Sequence, residues 1–172
     1  MMRSKPAVLS ILLLIFMAWG CAMQESRSIP PNIRSVAVFP FENKSYEPGL
    51  ENVLTDEVIQ QFLSDGQLNV VDKSKADVYV KGTISNYKRI PLIYNENDIV
   101  QQYKVRITIN VRLVDPETGK ILRQQGNIYR ETTYSDQIAP LETEYDAQHR
   151  VIIQLARDVV TTTVEGWPYL KT

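Results

Sequence analysis

Cysteine and histidine occur once each, at Cys21 and His149. A zinc site or a nucleophilic triad needs several such side chains converging on one point, so neither can be built from this inventory. His149, in "DAQHRVIIQ", reads as a solvent-facing residue of a helix. The seven glycines are all isolated, which leaves no loop able to cradle a phosphate. Aspartates and glutamates are dispersed over turns and outer helix faces, with no inward pair for general acid–base work. A net charge of −1 carries no basic surplus for nucleic acid. No metal, cofactor or catalytic residue is therefore expected, and the chain does not read as an enzyme. With 44% hydrophobic residues it is also too apolar to stay disordered.

What is present begins at the N-terminus, "MMRSKPAVLSILLLIFMAWGCAM". Arg3 and Lys5 precede an apolar core from Ala7 to Trp19, and the small Gly20 then abuts Cys21. Positive segment, short apolar core and small residue are the order of an export signal. The core falls short of the roughly 20 residues a membrane-spanning helix needs. An ordinary signal could be cut after Ala18-Trp19-Gly20. The Gly-Cys junction instead resembles the lipobox of bacterial lipoproteins, although Ala18 stands where Leu is usual and Trp19 where a small residue is usual. An exported chain with one cysteine has no internal disulfide to make, so its thiol is free, intermolecular or modified. The lipobox implies cleavage before Cys21, diacylglycerol on its thiol and an N-acyl chain. Two or more chains hold a membrane firmly where one does not. Ala22 in the next position, rather than Asp, implies the outer membrane.

Residues 1–20 are thus expected to be a lipoprotein signal peptide, and 21–33 a lipidated N-terminus and polar tether. Residues 34–172 are expected to form a single domain, and the mature chain of about 150 residues suits one core without disulfides.

Along that domain, "RSVAVFPF" reads as a buried strand and "ENKSYEPG" as turn chemistry. Leu50, Val53, Leu54, Val58 and Phe62 mark one helical face, stopped at Gly66. "LNVVD" follows as a strand, so strand, helix and strand suggest a parallel crossover. From Asp77 the period changes to two, with Gly82 in an inward place. The alternation is clearest where Tyr103, Val105, Ile107, Ile109, Val111 and Leu113 oppose Lys104, Arg106, Thr108, Asn110 and Arg112, as in an antiparallel sheet covered on one side. "DPETGK" is a hairpin turn, and a bulge is expected near Gly126 in the returning strand. A last helix is expected from about Pro140 to Val164, its β-branched end prone to fraying. The sum is an α+β fold: two helices on one face of a mixed sheet of four or five strands, a βαβ crossover followed by antiparallel strands and a C-terminal helix.

Two features are candidates for contact rather than chemistry. Lys104, Arg106 and Arg112 share the outward face of one strand, a row able to meet phosphates or carboxylates. Its bland reading is an ordinary solvated face. "KRIPLIYNEND" is a hairpin tip carrying Ile90, Leu92, Ile93 and Tyr94, which either enters a partner or lipid layer or folds back on its own sheet.

Taken in order, "VAVFPFENKSYEPGLENVLTDEVIQQF", "LNVVDKSKADVYVKGTISNY", "PLIYNENDIVQQYKVRITINVRLVDPETGKIL", "ETTYSD" and "HRVIIQLARDVV" resemble the lipopolysaccharide-assembly lipoprotein family, LptE. The resemblance covers nearly all of the mature chain and rests on the ordered set, not on one motif. It implies an outer-membrane lipoprotein seated in the lumen of an LptD-type β-barrel, assisting barrel assembly and lipopolysaccharide insertion as a non-enzymatic plug or scaffold. It makes lipopolysaccharide, the barrel and, through the lipid anchor, the inner leaflet of the outer membrane the expected partners. The opening "VAVFPFENKS" with a later "AD…GTI" also occurs in lipoprotein activators of peptidoglycan synthases and in curli-secretion lipoproteins, which is the alternative.

Overall fold

The computed structural model describes residues 29–165; the expected signal segment and Cys21 lie outside them. In chain order the elements are β1 (Ser35–Val38), β2 (Glu42–Asn43), α1 (Leu50–Asp65), β3 (Asn69–Val70), β4 (Val78–Tyr94), β5 (Val100–Val114), β6 (Ile121–Tyr134) and α2 (Glu144–Val164). They form one six-stranded sheet in the order β3-β1-β4-β5-β6, with β2 pairing β4. Strands β1 and β3, β1 and β4, and β2 and β4 run parallel; β4, β5 and β6 are antiparallel. The fold is α+β as the periodicities predict, with one strand more. The extra strand is β2, inside the segment expected to be turn only: after Pro40 the chain returns to Thr83 and Ile84, and the Lys44 N–H donates to the Ile84 carbonyl.

The helices form where the apolar spacing puts them. Leu50, Leu54, Val58 and Phe62 recur every fourth residue on α1 and are buried. Removing each such side chain from water contributes about 1.5–3 kcal/mol. The helix ends at Gly66, whose φ of 71° is the left-handed conformation that spares a side chain there, and its N–H donates to the Phe62 carbonyl.

Helix α2 begins later than the composition suggests. Ala139-Pro140 is a cis peptide in the preceding loop, and the helix starts where Thr143 caps it. The Thr143 hydroxyl accepts from the Asp146 N–H at 3.2 Å, and the Asp146 carboxylate accepts from the Thr143 N–H at 3.2 Å. Its far end holds to Val164 despite the β-branched run, because Val159, Val160 and Val164 are buried.

Both helices lie on one face of the sheet, over Val78, Val80, Ile84, Val105, Ile107, Ile109, Val111 and Leu113, which make the core. Gly82 sits directly beneath Phe41, where an added Cβ would lie 2.0 Å from the ring. Past Tyr87 on β4 no residue is buried, so the β4–β5 hairpin overhangs the helical layer. Since β1 runs parallel to β4, the chain enters the sheet at the pole opposite that hairpin. Ile33 is already buried and Ile29 packs against the core.

Candidate functional site

The sheet face turned away from the helices is the candidate surface, and strand register composes it. Burial of Val105, Ile107, Ile109, Val111 and Leu113 leaves Lys104, Arg106 and Arg112 on the open side. Pairing with β4 places Lys81 opposite Arg112 and Lys88 opposite Arg106. Pairing with β6 places Glu131 opposite Arg106 and Tyr129 opposite Thr108. A one-residue register shift between Ile84 and Asn86 brings Lys88 onto the same face as Lys81, although seven positions separate them in sequence.

The face holds two cationic nodes, about 20 Å apart by the six residue steps from Arg106 to Arg112 on β5. Near β1, the Lys81 Nζ lies 4.8 Å from the Phe39 ring centroid and 5.9 Å from that of Tyr79. The two rings meet edge to face at 4.9 Å. Neither Lys81 nor Arg112 has a carboxylate partner among the described residues.

Nearer the hairpin tip, Glu131 sits between two cations. The Lys104 Nζ is 3.1 Å from its Oε1 and the Arg106 Nη2 is 2.5 Å from its Oε2. The Arg106 hydrogen bond, then that of Lys104, holds the Glu131 carboxyl below the usual carboxylate range. The Arg106 guanidinium also lies 5.0 Å from the Tyr129 ring centroid. The row Lys104, Arg106 and Arg112 is therefore not uniform: two members share a counter-ion and one stands free. Lys81 and Lys88 belong with them: alternation alone turns Lys81 outward, but its place opposite Arg112 and the outward turn of Lys88 come only from register.

The hairpin tip is exposed rather than folded back. Leu92, Ile93, Tyr94 and also Ile99 are open to solvent, while Ile90 is half-buried opposite Lys104. The Asn95 Oδ1 accepts from the Asn97 and Ile99 N–H groups and shapes the turn. Asn95, Glu96, Asn97 and Asp98 thus cap an apolar stretch with a polar end.

On the helix side, a polar cluster fastens α2 to the sheet. Tyr87 donates to the Glu144 carboxylate. The Arg89 Nε donates to the Tyr134 hydroxyl at 2.8 Å and lies 3.2 Å from the Glu144 carboxylate. The Arg89 guanidinium stacks 3.8 Å from the Tyr103 ring centroid. Burial pushes the Tyr134 phenol up to about 12 and raises Tyr87 as well. Both phenols stay protonated near neutral pH and hydrogen-bond the Glu144 carboxylate, so the cluster fastens the start of α2 to the sheet. Glu144 is an inward carboxylate that the sequence reading did not find; its partners Tyr87 and Arg89 face it only because the same register shift turns them inward.

No curated protein matches the chain. Among solved structures, the hypothetical protein CT253 from Chlamydia trachomatis aligns with a TM-score of 0.53 at 13% identity, over 75% of this chain and 94% of that one. The rare lipoprotein B from Shewanella oneidensis aligns at 0.45 and 16% identity, over 70% and 90%. Lipoprotein GNA1162 from Neisseria meningitidis aligns at 0.44 and 15%, over 74% and 96%. At these identities the first likeness speaks to the fold alone, and the other two carry no argument. The family model described as lipopolysaccharide-assembly, LptE, matches residues 33–163, from the first buried residue to the last turn of α2. The chain belongs to the lipopolysaccharide-assembly family, LptE.

Proposed function

We propose that this chain is an outer-membrane lipoprotein, anchored through acylated Cys21, that assists assembly of an LptD-type barrel and insertion of lipopolysaccharide into the outer leaflet. It acts as a non-enzymatic plug or scaffold within the barrel lumen. The open sheet face meets phosphates of lipopolysaccharide or acidic groups of the lumen wall, and the exposed hairpin tip packs against the barrel.

The observation that supports this most is the pair of cross-strand cation contacts, Lys81 with Arg112 and Lys88 with Arg106. Like charges directly opposite each other destabilise a sheet. An anionic partner seated across them removes that repulsion and gains charge-assisted hydrogen bonds. The polar cap on the tip favours a protein lumen over hydrocarbon for the apolar residues behind it, because tip-first entry into lipid would bury Glu96 and Asp98.

The test is extraction of the tagged full chain in mild detergent and identification of what copurifies. A barrel of roughly 26 strands is expected. Recovery of a peptidoglycan synthase without a barrel overturns the proposal in favour of a synthase regulator.

A further inference from the structure

A cleft of about 340 Å³ opens in the helical layer, on the side of the domain opposite the cationic face. That volume is within the range of small-ligand sites. Its floor is apolar, made by Leu50, Val53 and Ile152, and Tyr145 and His149 stand at its rim with ring centroids 6.4 Å apart. Gln148, buried to 8% exposure, holds the Glu47 carboxylate from the side: its Nε2 donates to the Glu47 Oε1 at 3.0 Å and to the Tyr87 hydroxyl at 3.1 Å. The second Glu47 oxygen accepts no hydrogen bond from any described residue.

The charges of this cleft select against an anion. Helix α1 starts here at Gly49 without a side-chain cap, but Glu51 in its first turn already answers the partial positive charge of that terminus. The Glu51 carboxyl is held below its usual range by its own backbone N–H and by Asn43. Glu144, on the inner wall, is committed to Arg89 and the two tyrosines. Glu47 is the carboxylate left with a free acceptor, beside an exposed aromatic ring and above an aliphatic floor.

That combination suits an arginine side chain: an aliphatic stem for the floor, a planar cation for the carboxylate, and a face that stacks on tyrosine. We infer that the cleft is a docking site for an arginine-bearing segment of a protein partner, with Glu47 as the ion-pair acceptor and Tyr145 as the stacking platform. The site is independent of the sheet face and gives the domain a second contact surface of opposite charge preference.

The test is titration of the isotope-labelled full chain in detergent with Ac-Val-Arg-Val-NH2 and with its neutral counterpart Ac-Val-Gln-Val-NH2, followed by amide chemical shifts. Saturable shifts are expected at Gly49, Leu50, Tyr145 and His149, with the arginine peptide binding about five-fold more tightly. Glu47→Gln, which keeps an oxygen for Gln148, should abolish that preference. Tyr145→Ala should weaken the arginine peptide while leaving the spectrum folded, and Lys120→Gln, in the exposed β5–β6 turn, should leave the binding of both peptides unchanged. Equal binding of the two peptides, a preference that survives Glu47→Gln, or no saturable shift at the cleft overturns the inference.

Discussion

Lys81 and Arg112 stand directly opposite each other on β4 and β5, on the face turned away from both helices, with no carboxylate paired to either among the described residues. Lys81 is held over Phe39 and Tyr79 instead, so aromatic faces rather than counter-ions offset its charge. A domain selected for stability alone has no use for this arrangement, which gives the first prediction.

Replacing Arg112 with Gln should leave the unfolding free energy unchanged or raised by up to about 1 kcal/mol of relieved repulsion, whereas Lys81→Gln relieves the same repulsion but loses its contact with Phe39 and Tyr79, so its net effect should be close to zero. The same changes, combined with Lys88→Gln, should weaken binding to purified lipopolysaccharide, and the deficit should shrink as salt is added. Thermal unfolding and binding at two ionic strengths check this. Unchanged binding by a folded triple variant would reduce the face to solvated surface.

Changing Leu92, Ile93 and Ile99 to Ser should cost no more than about 0.5 kcal/mol each, because all three are exposed and lie outside the core. The proposed contact predicts that copurification with the barrel falls sharply in the same variant. Denaturant unfolding and quantitative pulldown separate the two effects.

Gly82→Ala should be among the most damaging single substitutions. Its Cβ would lie 2.0 Å from the Phe41 ring, in a core closed on every side, and overpacking of this kind costs about 1–3 kcal/mol or more. Combining it with Phe41→Ala should return part of the loss relative to Phe41→Ala alone, which a double-mutant cycle measures.

Alkaline stability should depend on Tyr134. Its phenol titrates at about 12 in the fold, mainly through burial, against an ordinary value near 10. The folded state therefore favours the protonated form. That contribution is fully present below pH 10 and is lost as pH rises through about 12. Tyr134→Phe should make the fall in stability between those values shallower, leaving the part due to the likewise raised Tyr87, as measured by denaturant unfolding across the alkaline range.

Anchoring predicts that Cys21→Ser blocks acylation and releases the chain from the membrane fraction. Mass spectrometry of the N-terminal peptide is the direct check; an unmodified Cys21, or cleavage at another residue, would remove the anchor from the proposal.

Much of the fold was legible because its signals are local. The alternation from Tyr103 to Leu113 names the buried side of β5 without knowledge of any neighbour. The spacing of Leu50, Leu54, Val58 and Phe62 does the same for α1. Strand β2 was not legible: two residues carry no period, and only pairing with Thr83 and Ile84 makes them a strand. The start of α2 was misplaced because Pro140 is as acceptable in a first turn as in a loop, whereas the Thr143–Asp146 capping box marks the first turn three-dimensionally.

The sequence by itself determined the type of the long elements and which of their sides is buried, since each follows from local period. Which charges of the neighbouring strands join the β5 row was decided only in the tertiary structure. A strand's side chains alternate, so the single-residue shift beside Ser85 reverses inside and outside from Asn86 to Pro91, where the next register shift begins. That shift turns Tyr87 and Arg89 toward Glu144 and sends Lys88 out to Arg106, and so sets the lock under α2 and adds one cation to the open face.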